Sequence, residues 1–549
     1  MDHRRGIRRS IAAFVTVLAV TPASAQQRPD VAGREAAVVA GHPLAAAAGA
    51  DVLRRGGNAV DAAITMAAVL AVVRPHMNGI GGDAFMLIRD ARTGETRALN
   101  GSGRAGSRAT PAYFREHGME RIPSSGVLAV SVPGAVMAWA DALRSAGTMT
   151  LAQALGPAIR YAAEGFPVSS DLARTIASSR RRIEADPELT RVFLPEGDVP
   201  AVGSLLRQPD LAATLRAIAE RGPNELYAGR TADRIVAFME KEGGLLRAED
   251  FADHASTWQE PLWTNYHGYR IGALPPNSQG LALLLQANMA ERLDVRGMGH
   301  NGAHYVHTMV EIKKLAFRER DSHVADPAFV TVPVDRLISK DFARDLAATV
   351  SATTAAPGEG SRGDGDTVYL CVIDRDGNAV SMIESLFSAF GSGRMVPGTG
   401  ILLHNRGSSF SLDAEHPNVV APGKRPYHTL TPSIVLRDDG SLYMLAGTPG
   451  ADGQTQTILQ VFHNITFFGM TPQQAVEAPR WRSYPDGSLQ MEPGFGDDVI
   501  AALEARGHRL RRTTALSSDL GGAQVILIER SGVKRTGADP RREAYGIAW

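Results

Sequence analysis

The chain carries a single cysteine, Cys371, in 549 residues. An intrachain disulfide and a cysteine metal cluster are therefore excluded, and stability has to come from packing, for which a chain of this length is ample. Net charge is also missing: Lys plus Arg and Asp plus Glu both number 58. That balance supplies no field to draw nucleic acid or an anionic membrane surface. Beyond the first 25 residues no apolar run approaches the roughly 18 needed to cross a bilayer. Two motifs are absent as well. No Gly-x-Ser-x-Gly elbow of a serine hydrolase occurs, and Gly79-Ile80-Gly81-Gly82 lacks the Lys-Ser/Thr ending and preceding strand of a phosphate loop. What remains is small-molecule chemistry that needs no cofactor.

Residues 1–25 place Arg4, Arg5, Arg8 and Arg9 before the apolar residues 11–20, and end on Ala23-Ser24-Ala25. Basic flank, short apolar run and small-x-small cleavage site in that order read as a secretory signal peptide. The expectation is a periplasmic or secreted protein.

Residues 38–86 alternate Ala-rich helices with Gly-rich turns, with Asn58 as an N-cap and Asp61 in the first turn of the next helix. A hairpin is predicted around Ala91-Arg92-Thr93-Gly94, and residues 151–255 read as mostly helical. His300, His304, His307 and Glu311 fall at a spacing that could bind a metal from one helix face. The apolar periodicity of Tyr305, Val306, Met309, Val310, Ile312 and Phe317 favours a buried scaffold helix without metal.

The informative stretch is the junction at Thr367. Residues 347–366 are small, polar and acidic and read as an exposed loop; residues 368–373 are β-branched and aromatic, and Asp374-Arg375-Asp376-Gly377-Asn378 turns into a second strand at 379–383. On local composition alone, Thr367 is simply the first residue of a strand. A buried, inert role suits Cys371 within that strand.

The run from Thr367-Val368-Tyr369 to Ala379-Val380-Ser381, with Phe390-Gly391-Ser392-Gly393 and Pro397-Gly398-Thr399-Gly400, resembles the small subunit of γ-glutamyltransferases (glutathione hydrolases). The likeness extends over about residues 36–549. It implies an α+β fold, the N-terminal-nucleophile hydrolase sandwich with αββα layers. It also implies a proenzyme of residues 26–366 and 367–549 that cuts itself before Thr367 and stays together as a heterodimer of large and small subunits.

In that resemblance Thr367 is the nucleophile, Ser385 the hydroxyl supporting it, and Gly450 and Ala451 the backbone donors to the oxyanion. The implied reaction is cleavage of γ-glutamyl amides through a Thr367 acyl-enzyme, with transfer to water or an amine. Recognition departs from the family. Ser102 stands where the family grips the α-carboxylate with Arg, and Ser409 where an Asp holds the α-ammonium. Phe387 and Arg406 replace Asn and Gln. Arg104 and Arg406 are the candidates to restore the carboxylate contact and Glu384 the ammonium contact, and His428 and Thr429 join the substrate-binding set. Glutaryl or oxamate-type amides are therefore a second donor class to weigh. A periplasmic binding protein, the non-enzymatic alternative, would remain one uncut chain.

Overall fold

The computed structural model describes residues 28–358 and 365–549. The proposed signal peptide and part of the small-residue tract before Thr367 lie outside them.

Two seven-stranded antiparallel sheets stack face to face. The first runs Tyr545–Ala548, Ala37–Ala40, Asp366–Ile373, Ala379–Phe387, Asp83–Arg89, Thr96–Gly101 and Thr257–Gln259 across its width. The second runs Val31–Gly33, Lys534–Ala538, Gln524–Ile528, Leu442–Gly447, Ser433–Arg437, Tyr269–Ala273 and Leu262–Tyr266. Period-two alternation sorts the side chains. Tyr369, Cys371, Ile373, Phe85 and Leu87 fill the space between the sheets against Ile434, Leu445 and Ile526. Val368, Leu370, Val372, Met86 and Met382 face outward onto helices including Ala59–Val73 and Ala135–Ala146. Gly280–Ala290, Ala303–His323 and Gly453–Thr466 cover the far face of the second sheet. The layers are helix, sheet, sheet, helix, as the resemblance implies.

Local chemistry accounts for several boundaries. Asn58 Oδ1 accepts from the Asp61 N–H at 3.1 Å while Asp61 Oδ2 accepts from the Asn58 N–H at 2.9 Å, a capping box that starts Ala59–Val73. The hairpin before residue 101 forms with Ala84 opposite Gly101, and a helix covers Gly453–Thr466. Cys371 is buried, and burial pushes its thiol up, away from the reactive thiolate. No helix among the described residues is long and apolar enough to cross a membrane.

Candidate active site

Thr367 is the second residue of Asp366–Ile373, where the pairing with Ala379–Phe387 shifts register between Asp366 and Val368. The shift brings Thr367 beside Ser385 on the face between the sheets. Thr367 is 2% exposed, and its hydroxyl donates to Ser385 Oγ at 3.2 Å. Ser385 in turn donates to the Asp366 carbonyl oxygen at 2.6 Å and accepts from the Phe387 N–H at 2.7 Å. One hydroxyl thus ties the candidate nucleophile to the carbonyl that self-cleavage would attack, and donates to that carbonyl oxygen.

The oxyanion candidates sit in the turn between Leu442–Gly447 and Gly453–Thr466. Gly450 has φ 120° and Ala451 φ 47°, and among the described residues neither N–H makes a hydrogen bond. A left-handed φ costs an alanine about 1 kcal/mol more than a glycine, so the turn keeps both donors free at some strain. The helix that follows adds its positive end to the same spot. Gln279 braces the turn, donating from Nε2 to the Ala451 carbonyl at 3.2 Å and to the Thr429 carbonyl at 2.6 Å. Gln279 Oε1 accepts from Arg320 at 2.9 Å, and Arg320 reaches Asp452 at 2.7 Å. The residue before Asp366 has to be small: a Cβ on Gly365 would meet Ala451 Cβ and the Phe387 ring at 3.1 Å. The uncut chain therefore runs directly over the oxyanion turn.

Arg406 is fully buried, stacked on Phe387 with its guanidinium carbon 4.1 Å from the ring centre. Its two terminal nitrogens lie 3.4 Å from Ser385 Oγ and 3.4 Å from Thr429 Oγ1, and among the described residues it has no ion pair. Burial lowers its pKa to about 10. Behind it stands a polar cluster: Ser102 Oγ lies 2.9 Å from His428 Nε2, which is 3.4 Å from Asp83 Oδ2, and His404 Nδ1 is 3.5 Å from the same carboxylate oxygen. Burial opposes ionisation of Asp83, but His404, His428 and Arg406 outweigh it and hold the carboxyl well below the usual range. Burial and the Arg406 charge push His428 down to about 3, so it is a neutral imidazole.

The remaining candidates are not brought together with Thr367. Arg104 points to the Ala255 carbonyl at 3.5 Å. Ser409 is half-buried and engages Asn418 only through its backbone carbonyl, at 2.7 Å. Glu384 lies on the opposite face of its strand from Ser385, where it accepts from Trp139 Nε1 and, at 2.9 Å, from Asn78 Nδ2. Burial raises its pKa to about 7. An ammonium contact from Glu384 is thus ruled out by strand alternation.

Sequence reasoning did not single out Gln279, Asp83 or Arg542. The Arg542 guanidinium pairs with the Asp366 carboxylate across 176 positions, and both border a groove of about 1170 Å³ that Arg182 and Arg482 also line. The metal-like spacing on the 300–311 segment does assemble in part: His307 Nδ1 lies 2.8 Å from His508 Nε2, beside Glu311. Glu311 is already paired with Lys314 at 2.7 Å.

A threonine at the start of a central strand, inside stacked antiparallel sheets covered by helices, with two free backbone donors nearby, defines the N-terminal-nucleophile hydrolase class. Comparison narrows it: the Gamma-glutamyltranspeptidase family model matches residues 45–549, and the chain belongs to that family. It is 39% identical over 523 residues to the "Glutathione hydrolase-like YwrD proenzyme" of Bacillus subtilis (strain 168), covering 94% of this chain and 99% of the relative. It is 37% identical over 514 residues to the "Oxamate amidohydrolase proenzyme" of Klebsiella pneumoniae, covering 92% and 96%. The solved cephalosporin acylase from Bacillus halodurans superposes with a TM-score of 0.90 at 38% identity, over 95% of this chain and 97% of that one. The protein is accordingly an enzyme of the amide hydrolase and acyltransferase kind.

Proposed function

We propose that the chain matures by cutting itself between Asp366 and Thr367, and that Thr367 then hydrolyses or transfers the acyl group of amides whose acyl chain ends in a carboxylate. In maturation Thr367 Oγ attacks the Asp366 carbonyl carbon, the C–N bond breaks, and the hydroxyl proton passes to the departing nitrogen. Water splits the resulting ester. The freed α-amine, with an ordinary pKa of roughly 7.7–8.0, becomes the base that deprotonates Thr367 Oγ in each turnover. Gly450 and Ala451 stabilise the tetrahedral oxyanion, each donor supplying roughly 3–4 kcal/mol. The Arg406 guanidinium nearby favours the neutral form of the amine.

The sheet supports a lasting heterodimer, since Ala37–Ala40 and Asp83–Arg89 flank the hairpin that begins at the cut. The reading of residues 1–25 makes the periplasm or the exterior its place of action. The resemblance points first to γ-glutamyl amides, and one observation turns the choice to carboxylated donors without the amine. Arg406 lies against Ser385 with no carboxylate partner among the described residues, whereas Ser409 offers an ammonium only a hydroxyl and Glu384 faces away. An unpaired buried cation attracts a carboxylate and repels an ammonium. Among the relatives, the name oxamate amidohydrolase agrees with such a donor and the name glutathione hydrolase with a γ-glutamyl one.

The test is a denaturing gel with amino-terminal sequencing of the smaller band, followed by kcat/KM for γ-glutamyl, glutaryl and oxalyl anilides. Sequence starting at Thr367 and preference for a donor lacking the amine are expected. A γ-glutamyl preference of more than about a hundredfold, roughly 2.7 kcal/mol, overturns the donor assignment.

A further inference from the structure

We infer that Arg542 anchors the acyl-chain carboxylate of the substrate, in a subsite that the Asp366 side chain fills until the chain is cut. The inference rests on the carboxylated-donor reading and adds where the carboxylate lands and how far it lies from the reacting carbonyl.

Asp366 is itself the acyl donor of the first reaction. Its carbonyl oxygen is held by Ser385 at 2.6 Å, and its carboxylate pairs with Arg542. The ester of maturation and the ester of turnover share the same Thr367 oxygen and differ only in the acyl group attached. A device that seats the first acyl group is therefore positioned to seat the second.

Arg542 is built for this task in a way its neighbour is not. Arg541 is consumed internally, paired with Glu492 and, at 3.2 Å, with Asp539, and it is 0% exposed. Arg542 is fixed by its Nε donating to the Ser518 carbonyl at 2.9 Å, and its side chain reaches the groove at 9% exposure. Asp366 is its one ion-pair partner among the described residues. The next carboxylate behind it, Asp171, is already shared by Arg74 and Arg174 and lies 3.6 Å from His76. When the end of the large chain withdraws, a largely buried guanidinium is left facing the groove with its partner gone. Its ion pair is then lost and, among the described residues, only the charges of Asp171 and of Asp519, neither in ion-pair contact with it, remain, so the vacated place favours an anion.

The template also sets a length. In Asp366 the carboxylate is separated from the acyl carbon by Cα and Cβ, the spacing of a succinyl group. The carboxylate of an oxalyl group, the acyl part of oxamate, is bonded directly to the acyl carbon and falls short of Arg542; a glutaryl chain has one methylene more and can fold to fit. Succinyl and glutaryl amides are thus the expected donors, with oxalyl behind.

The experiment measures kcat/KM of the mature protein for oxalyl, succinyl, glutaryl and uncharged butyryl anilides, in wild type, Arg542→Gln and Arg542→Lys. Wild type is expected to favour succinyl or glutaryl over butyryl by at least about a hundredfold, the Gln variant to bring that ratio within about fivefold, and Lys to restore part of it. A ratio unchanged in Arg542→Gln, or a Gln variant that loses charged and uncharged donors alike, overturns the inference. Because Arg542 also holds Asp366 before the cut, its variants can stall in maturation. Calorimetric titration of mature wild type with succinate and with butyrate covers that case: succinate should bind at least about tenfold more tightly, and equal binding overturns the anchor. Failure of the wild type to turn over any of these anilides counts against the carboxylated-donor reading, while the titration still decides Arg542.

Discussion

The two sides of this site are held by different parts of the chain. On the proposed nucleophile side the contacts are largely to backbone: Ser385 bonds the Asp366 carbonyl and the Phe387 N–H, and the proposed oxyanion donors are the N–H groups of Gly450 and Ala451. On the recognition side the contacts run between side chains, from Ser102 to His428 to Asp83, and from Arg406 to Thr429 and Phe387. A backbone donor survives a change of side chain, so Ala can stand for Gly at 451, while Ser at 385 keeps the hydroxyl that a Thr would supply. Side-chain recognition has no such protection. A single replacement there adds or removes a charge that a substrate meets.

The contrast is sharpest at Thr367, whose side-chain hydroxyl the proposed chemistry cannot lose. Thr367→Ala should leave a single uncut chain on a denaturing gel and lower amidase activity by at least about a thousandfold, whereas Thr367→Ser keeps hydroxyl and α-amine and retains some of both. Normal cutting in the Ala variant would place the nucleophile elsewhere. Ser385→Ala tests the next contact. It removes the donor to the Asp366 carbonyl and should slow the appearance of the two chains by about a hundredfold, roughly the loss of one donor worth 2.7 kcal/mol. Unchanged maturation kinetics would show that Ser385 merely fills space.

Arg406→Gln probes the recognition side. With the guanidinium gone, kcat/KM for a glutaryl anilide should fall by about tenfold and for an uncharged butyryl anilide by less, because the field of the cation rather than a direct contact is lost. Equal losses on both donors would assign Arg406 to supporting Ser385 alone.

The strands on the nucleophile side were legible because their signals are local. The change from small polar residues to a β-branched run marks the strand start at Thr367 and the turn at 374–378 marks the partner strand, whereas the role given to Thr367 came from the resemblance and not from local composition. Asn58 and Asp61 likewise announce their capping box within four residues. The recognition side was read less well because its partners are distant in sequence. Ser102 and His428 are 326 positions apart and Asp366 and Arg542 176, and no periodicity records such a meeting. Glu384 failed for another reason. Adjacency to Ser385 made it a candidate, yet neighbours on a strand face opposite ways, a rule that the alternation of residues 379–387 already contained.

That misplaced carboxyl makes the last prediction, on stability rather than activity. Glu384 is buried on the helix side, and burial raises its pKa from 4.5 to about 7 although Trp139 and Asn78 donate to it. The folded state therefore holds a proton that the unfolded chain has released between pH 4.5 and 7. In that window the native form binds more protons, so stability is full below pH 4.5 and falls as pH rises through 7. A shift of that size is worth about 3 kcal/mol once both states are ionised. Glu384→Gln is neutral at every pH, and its amide N–H can donate to Asn78 Oδ1, which has no partner among the described residues. Urea unfolding at pH 5 and pH 8 should show the variant gaining on wild type by about 2–3 kcal/mol between the two. A constant difference would mean that Glu384 is charged throughout and that Trp139 and Asn78 stabilise the carboxylate in full. The variant should leave the preference among acyl donors unchanged, since Glu384 faces the helices; a shift in that preference would return it to the recognition side.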